Sequence, residues 1–317
     1  MKVIKGFLRL LRWQNLFFII LTQAVYYFCI IGSSFPPDGA APFFENRKTL
    51  FYLLMTASVL IAGAGYIIND YFDLQIDRIN KPDRVVVDRI VKRRWAIVWH
   101  LLFSIIGILI SVYITWKTRS LVIGIGNIIC VLALWFYSTW FKKSLLIGNV
   151  LIAALTAWVI MVVYFFAGAH IGLYGWPETA YPFDIRRVFK LTMLYAGFAF
   201  IISLVREAVK DMEDITGDAK YKCRTMPIVW GIPASKVFCG VWLVVILAAA
   251  VICTVYALQI NYWPLAAYAV FLVVLPMAWA IVLLFRAKQP AQYNHLSNWI
   301  KFIMLTGILS MLFFLWI

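Results

Sequence analysis

Long apolar runs alternate with short polar segments along almost the whole chain. A run of about 20 apolar residues is the length at which an α-helix crosses the hydrocarbon core of a bilayer. The pattern therefore predicts an all-α, polytopic membrane protein. Its nine predicted spans are residues 14–32, 50–69, 96–116, 120–138, 146–168, 188–208, 237–258, 263–285 and 299–317. The longest predicted loops between spans are residues 69–95 and 209–236.

The composition supports a membrane protein. Of the 317 residues, 64% are hydrophobic and only 14% are charged, which is too apolar for a soluble domain of this length. The basic amino-terminal segment 2–12 and the apolar run after it resemble a signal peptide, but the run is long and no small-residue cleavage site clearly follows it. The pattern predicts an uncleaved first span.

The basic residues are distributed unequally between the two sides of the predicted spans. The side that carries the amino terminus has 22 of the 29 Lys and Arg residues, and the other side has 7. Because such an excess marks the cytoplasmic face, we expect a multi-pass protein of the cytoplasmic membrane with its amino terminus in the cytoplasm. Anionic lipid headgroups then account for the net charge of +15, so neither a nucleic acid nor an obligate protein partner is predicted.

Two stretches carry the same D-x-x-D-x-x-x-D spacing, each at the end of a predicted span. At about 100° per residue, these offsets place three carboxylates within an arc of about 60° on one helical face. Like charges so arranged repel one another unless a cation lies between them. The two faces therefore predict a divalent-metal site. Their members are Asp70, Asp73 and Asp77 in the first motif, and Asp211, Asp214 and Asp218 in the second.

Magnesium and a diphosphate fit these segments best. Mg²⁺ prefers a few carboxylates together with phosphate oxygens, and basic residues after each motif would meet the phosphate oxygens that the metal leaves free. The alternative is that both acidic runs are solvated charges at helix ends. The identical spacing of the two runs argues against this alternative. The duplication also predicts that the single domain, 1–317, is built from two related halves, 1–145 and 146–317.

Four elements resemble the UbiA-type intramembrane prenyltransferases. Residues 69–77, NDYFDLQID, resemble the family's first signature, NDxxDxxxD, and residues 206–218, REAVKDMEDITGD, resemble its second. Residues 137–142 are similar to its Y-x-x-x-x-K element, and residues 12–15 to its R-x-x-N element. The four elements occur in the family's order and cover nearly the whole chain.

The resemblance implies a nine-helix bundle around a central cavity that opens to the cytoplasmic face. Two Mg²⁺ would bind a prenyl diphosphate and assist its ionisation, after which an acceptor is alkylated. The metal-binding candidates are Asn69, Asp70, Asp73, Asp77, Asp211, Asp214 and Asp218, of which Asp70, Asp73, Asp211 and Asp214 are the catalytic candidates. The substrate-binding candidates are Asn15, Asn69, Arg78, Lys81, Arg84, Tyr137, Lys142, Lys210, Lys220 and Arg224.

The second motif, with the TMPI stretch at residues 225–228, is most similar to the digeranylgeranylglyceryl phosphate synthase branch. That resemblance implies geranylgeranyl diphosphate as the donor and geranylgeranylglyceryl phosphate as the lipophilic acceptor. A quinone or tocopherol-type aromatic precursor is the alternative acceptor. Alkylation of a glycerol hydroxyl needs a proton acceptor, for which Glu207 and Asp218 are candidates. A cation transporter is the more distant alternative, since the span interiors almost lack ionisable residues.

Overall fold

The computed structural model describes residues 2–35, 37–82, 85–170 and 184–316. Nine helices of the described residues are long and apolar enough to cross a membrane, which confirms the predicted number of spans. The α-helices are α1 (Lys2–Leu10), α2 (Trp13–Val25), α3 (Pro37–Asn80), α4 (Arg93–Thr118), α5 (Leu121–Thr139), α6 (Ile147–His170), α7 (Ile185–Lys220), α8 (Met226–Val229), α9 (Gly231–Gln259), α10 (Trp263–Ala269), α11 (Leu275–Arg286) and α12 (Pro290–Leu309). A π-helical stretch, Tyr26–Ile31, extends α2, and another, Val270–Val274, joins α10 to α11.

Both acidic motifs lie inside long helices, so the predicted loops 69–95 and 209–236 began too early in the sequence. Helix α3 continues through the first motif and ends at Asn80. Pro82 follows two residues later and has no N–H with which to continue the helix. Helix α7 continues through the second motif to Lys220. It ends with Lys222 in the left-handed region at a φ of 56°, and the Cys223 N–H then bonds back to the Asp218 carbonyl.

The chain forms two compact units. Unit 1 contains Met1–Phe141 and Trp158–Met193, and unit 2 contains Lys142–Ala157 and Leu194–Ile317. The first acidic motif therefore belongs to unit 1 and the second to unit 2. These units do not coincide with the predicted halves, 1–145 and 146–317, which rest on sequence duplication and stay a prediction.

In unit 1, a hydrophobic cluster holds the motif-bearing end of α3 in place. Leu10 of α1 is fully buried in this cluster with Ile67 and Leu74 of α3. Val86 and Val87, from the segment between α3 and α4, complete the same cluster. Helix α1 and this segment therefore pack against α3 next to the acidic residues, which fixes the backbone from which those residues project.

In unit 2, the apolar side of α7 is buried by later helices. Val205, Val209 and Met212 are fully or almost fully buried in a cluster with Leu243 of α9 and Leu284 of α11. Because Val209 and Met212 lie between acidic positions in the sequence, one side of the helix packs while another carries the carboxylates.

A proline in the eighth span leaves one backbone carbonyl for a side chain to satisfy. Pro276 has no N–H to donate to the Leu272 carbonyl four residues earlier. Thr306 of α12 donates its hydroxyl to that oxygen at 2.7 Å, and the Ile303 carbonyl of its own helix is a second acceptor at 3.0 Å. Thr306→Val is expected to lower the free energy of unfolding by about 1 kcal/mol, the net value of a typical hydrogen bond. Thermal denaturation in detergent measures the loss.

Thr254→Val is the matched control for that experiment. Thr254 is also buried in a span, but its hydroxyl donates to the Ala250 carbonyl of its own helix, which the Thr254 N–H can satisfy. Equal melting temperatures for the two valine variants would contradict the role given to Thr306.

Candidate functional site

The first acidic face lies on α3 in unit 1. Asn69, Asp73 and Asp77 follow one another at intervals of four residues, so they form one row along the helix. Asp73 is 3% exposed and Asn69 is 8% exposed, whereas Asp77 is half-buried. The Asn69 Oδ1 atom is buried and accepts no hydrogen bond. A buried amide oxygen without a donor fits a role as a ligand for a hard cation.

Asp70 lies at the edge of this row and has a cationic partner. The Arg12 Nη2 atom donates to the Asp70 Oδ1 atom at 2.8 Å. Arg12 lies between α1 and α2 in the left-handed region, at φ 49° and ψ 51°. Its guanidinium also lies over the Tyr66 ring, 5.2 Å from the centroid.

Arg12 stays charged in this position. Burial alone lowers the pKa of its guanidinium, but the negative charge of Asp70, the hydrogen bond to Asp70 and the charges of Tyr66 and Asp77 together raise it by more. The net pKa therefore lies above the ordinary value for arginine. The acidic face of unit 1 thus carries a permanent positive charge.

The structure places four other predicted residues of unit 1 near the ends of its helices. Arg78 forms an exposed ion pair with Asp88, with 2.9 Å between Nη2 and Oδ2. The Lys81 N–H bonds to the Asp77 carbonyl at 2.8 Å, and the Asn15 N–H bonds to the Arg12 carbonyl at 2.7 Å. Half-buried Tyr137 lies on α5, and Arg84 lies outside the described residues.

The second acidic face lies on α7 in unit 2. The Asn149 Nδ2 atom of α6 donates to the Asp211 Oδ2 atom at 2.8 Å. The positive charge of Lys142 acts on Asp211, and Glu207 and Asp218 add negative charge around it. Asp218 is 5% exposed and Asp214 is half-buried. The face therefore combines carboxylates with an amide group and a nearby ammonium, which suits a site for a metal-bound anion.

Lys210 and Glu207 form an ion pair one turn from these carboxylates. The Lys210 Nζ atom lies 2.9 Å and 3.2 Å from the two carboxylate oxygens of Glu207. The Arg206 Nη1 atom lies 3.2 Å from Glu207 Oε1. Glu207, one of the two candidate proton acceptors, therefore has two cationic neighbours.

The segment after α7 contacts the loop that carries Lys142. The Arg224 N–H donates to the Lys143 carbonyl at 2.8 Å. Lys220 and Arg224 are exposed at the end of the motif-bearing helix. In unit 2 the structure thus brings together Lys142, Asp211 and the basic segment that follows the second motif.

Within the described ranges, no group of three or more His, Cys, Asp or Glu side chains is placed to hold a metal ion by itself. Each face instead offers a few carboxylates beside an asparagine amide. That donor set matches Mg²⁺, which keeps several waters and takes phosphate oxygens as additional ligands. The residues therefore fit a magnesium–diphosphate complex better than a metal held by protein alone.

Tyr66 and Arg12 were not identified from the sequence as contributors to the acidic face, and the partner of Asn149 was not identified either. Tyr66 precedes Asp70 by four residues, so helical periodicity alone places it on the acidic face. Arg12 was assigned to the orientation bias and the R-x-x-N element, and no local pattern connects it with Asp70. Asn149 was visible as a polar residue at the start of an apolar span, but its partner was not predictable.

Comparisons with known proteins are consistent with this geometry. A model of the UbiA prenyltransferase family matches residues 20–315. The digeranylgeranylglyceryl phosphate synthase of Methanospirillum hungatei is 34% identical over 185 residues, which cover 58% of this chain and 59% of that protein. The chain thus spans less than two thirds of the length of this curated relative.

Solved structures share the fold over a larger part of the chain. A structure of digeranylgeranylglyceryl phosphate synthase has a TM-score of 0.62 and 23% identity, and the match covers 98% of this chain and 99% of that one. A UbiA homolog from Archaeoglobus fulgidus bound to GPP and Mg²⁺ has a TM-score of 0.55 and 14% identity over 96% of this chain and 99% of that one. At these identities the likeness establishes the fold.

Proposed function

The chain belongs to the UbiA prenyltransferase family, and we propose that it transfers a prenyl group from an isoprenoid diphosphate to a lipophilic acceptor. The observation that carries the proposal is the acidic face of α3, where buried Asp73 lies one turn from the unbonded amide oxygen of Asn69. Such a face is costly at a membrane span unless a cation offsets it. The same spacing on α7 supports a second face of the same kind.

We propose two Mg²⁺ ions, held in unit 1 by Asn69, Asp73 and Asp77 and in unit 2 by Asp211, Asp214 and Asp218. When bound, Mg²⁺ neutralises the negative charge that develops on the departing diphosphate. Asn149, by its hydrogen bond, orients the Asp211 carboxylate, and Lys142 supplies a positive charge for the phosphate oxygens. Both residues would act on the leaving group.

The acceptor hydroxyl attacks the allylic carbon of the donor. The allylic C–O bond to diphosphate breaks, an ether C–O bond to the acceptor forms, and the hydroxyl proton moves to a base. Glu207 is the proposed proton acceptor, since Asp218, the other candidate, is assigned to the metal. Apolar spans would keep water from the allylic cation, which water would otherwise convert to an alcohol.

We propose geranylgeranyl diphosphate as the donor and geranylgeranylglyceryl phosphate as the acceptor. The similarity to the Methanospirillum hungatei enzyme supports this pair of substrates, since that relative is named for the product. The second motif, where the sequence is most similar to that branch, supports the same acceptor.

The proposal is tested with purified full-length protein, labelled geranylgeranyl diphosphate and Mg²⁺. The acceptors are geranylgeranylglyceryl phosphate, its dephosphorylated form, a hydroxybenzoate and homogentisate, and products are identified by mass spectrometry. We expect an ether product from the glyceryl phosphate. If only an aromatic acceptor gives a product, the proposed acceptor is wrong. If no acceptor gives a product, the proposed transferase activity is contradicted.

Lys142→Ala is expected to raise KM for the isoprenoid diphosphate by about tenfold, equivalent to about 1.4 kcal/mol of binding. The loss of kcat should be smaller, because a cation that contacts the diphosphate before and during cleavage stabilises both states. Steady-state kinetics with varied donor separates the two parameters. Lys143→Ala, which removes the adjacent exposed lysine, is the control and should leave KM unchanged.

We propose that the amino terminus lies in the cytoplasm. Single cysteines introduced at exposed Arg89 or Tyr221, in a cysteine-free background, should react with an impermeant maleimide only in inside-out vesicles. A cysteine at exposed Lys117 should react only from the opposite side. Labelling of the first two positions from the outside would contradict the orientation drawn from the charge distribution.

A further inference from the structure

We propose that Asp70 positions Arg12, and that the positioned guanidinium binds the diphosphate of the donor. This inference rests on the proposed function, but it assigns Asp70 a role different from that of the other motif carboxylates. The sequence predicted all three aspartates of the first motif as metal ligands. The 2.8 Å ion pair with Arg12 is the observation that gives Asp70 a separate role.

Two residues on α3 hold the Arg12 guanidinium. Asp70 accepts a hydrogen bond from Arg12 Nη2 at 2.8 Å, and the Tyr66 ring lies beneath the guanidinium at 5.2 Å. Because Tyr66 and Asp70 are four residues apart, both supports lie on the same helical face as the carboxylates. The guanidinium is thus held against the acidic face by an ion pair at one edge and an aromatic ring below it.

The backbone directs Arg12 toward that face. Arg12 lies in the left-handed region between α1 and α2, a conformation that costs energy for a residue other than glycine. Leu10, two residues earlier, is fully buried in the cluster with Ile67 and Leu74 of α3. The turn therefore follows a firmly packed helix end, so the direction of the Arg12 side chain is set by the fold.

The position of Asp70 argues against metal binding by its carboxylate. A guanidinium 2.8 Å from Asp70 Oδ1 repels a dication on the same carboxylate. Asn69, Asp73 and Asp77 form the continuous row on α3, and within that row the Asn69 Oδ1 atom is buried and accepts no hydrogen bond. This row offers the metal three oxygen-bearing side chains without Asp70.

Arg12 has donors left for an anion. A guanidinium carries five N–H groups in a planar fork that matches phosphate oxygens, and the Arg12 side chain is 35% exposed. By its ion pair, Asp70 holds the Arg12 side chain in one position, as a phosphate-binding group beside the metal-binding row. Fixing the fork in advance lowers the entropy lost when the diphosphate binds.

Metal binding without any acceptor distinguishes the two roles of the motif carboxylates. Binding of Mn²⁺ to the full-length protein in detergent is measured by electron paramagnetic resonance for the wild type, Asp70→Asn and Asp73→Asn. We expect Asp73→Asn to weaken Mn²⁺ binding by about tenfold or more, as for the loss of a ligand. Asp70→Asn should retain the wild-type affinity for Mn²⁺.

Binding of inorganic pyrophosphate to the Mn²⁺-loaded protein tests the positioning role. Arg12→Gln and Asp70→Asn should each weaken pyrophosphate binding by about tenfold, as for a lost charge-assisted contact, and the double variant should be no weaker than Arg12→Gln alone. Arg12→Lys, which keeps the charge but loses the fork, should recover part of the affinity. Thermal melts of the variants establish that each is folded.

Loss of Mn²⁺ binding in Asp70→Asn equal to that in Asp73→Asn would overturn the inference, because Asp70 would then be a ligand. Additive effects of Arg12→Gln and Asp70→Asn would overturn it as well, since the two residues would act independently. A wild-type protein that binds neither Mn²⁺ nor pyrophosphate would overturn the proposed function together with this inference. In the first two cases, the transferase proposal stands.

Discussion

Alanine at Asp73 or Asp214 is expected to lower the turnover of the isoprenoid diphosphate by about 10²-fold or more. Each change removes a proposed metal-binding carboxylate from one acidic face, so charge that develops on the departing diphosphate loses its stabilisation. Because that charge is largest in the transition state, the loss should appear mainly in kcat. The ratio of variant to wild-type kcat is obtained from product formation with labelled geranylgeranyl diphosphate. Products are measured by mass spectrometry, on protein verified as folded.

Asp88→Ala is the control for these carboxylates. Asp88 lies beyond the first motif and forms an ion pair with Arg78 in which both side chains are 49% exposed. Exposed pairs of this kind contribute little, so turnover should change by less than about twofold. An Asp88 variant as inactive as Asp73→Ala, or active and folded Asp73 and Asp214 variants, would mean that the identical spacing of the motifs carries no catalytic role.

The acidic faces could be predicted because helical periodicity is local. Offsets of three and seven residues fix the direction of a side chain once the segment is helical, and both motifs are helical in the structure. The nine spans were predictable for a related reason, since their length and hydropathy are set by the bilayer.

The ends of the motif-bearing helices were harder to predict from the sequence. Aspartates at close spacing lower the hydropathy of a window, so the first motif reads as the start of a loop. In the structure, Leu74 and Ile76 are buried, Asp73 is buried beside them on the acidic face, and α3 continues to Asn80. Packing of the apolar side keeps the segment helical where the average hydropathy no longer indicates a span.

The partners of the carboxylates were not predictable from the sequence. Arg12 and Asp70 are 58 residues apart, and Asn149 and Asp211 are 62 residues apart. Each pair forms because different helices of one unit pack side by side, and no periodicity within a helix encodes that. The left-handed backbone at Arg12, which directs the guanidinium, also depends on the packing of α1.

Removal of divalent metal is expected to abolish turnover, and added Mg²⁺ or Mn²⁺ should restore it. Unit 1 and unit 2 each carry an acidic face, and carboxylates repel a diphosphate unless a cation lies between them. The ammonium of Lys142 and the guanidinium of Arg12 assist phosphate binding but cannot replace the metal, because these two charges also offset the nearby carboxylates of Asp211 and Asp70 and are too few for both the acidic faces and a diphosphate. Turnover is measured after dialysis against EDTA and again after metal is added back.

Ca²⁺ provides the control for a specific site rather than general screening of charge. It takes more oxygen ligands at longer distances than Mg²⁺, and the described acidic faces offer few carboxylates, so restoration by Ca²⁺ should be weaker. If Ca²⁺ and monovalent salt restore turnover as well as Mg²⁺ does, the metal only screens charge and no specific site is needed. Unchanged turnover in excess EDTA would contradict the model altogether, because the diphosphate would then bind beside aspartates with no divalent cation to offset their charge.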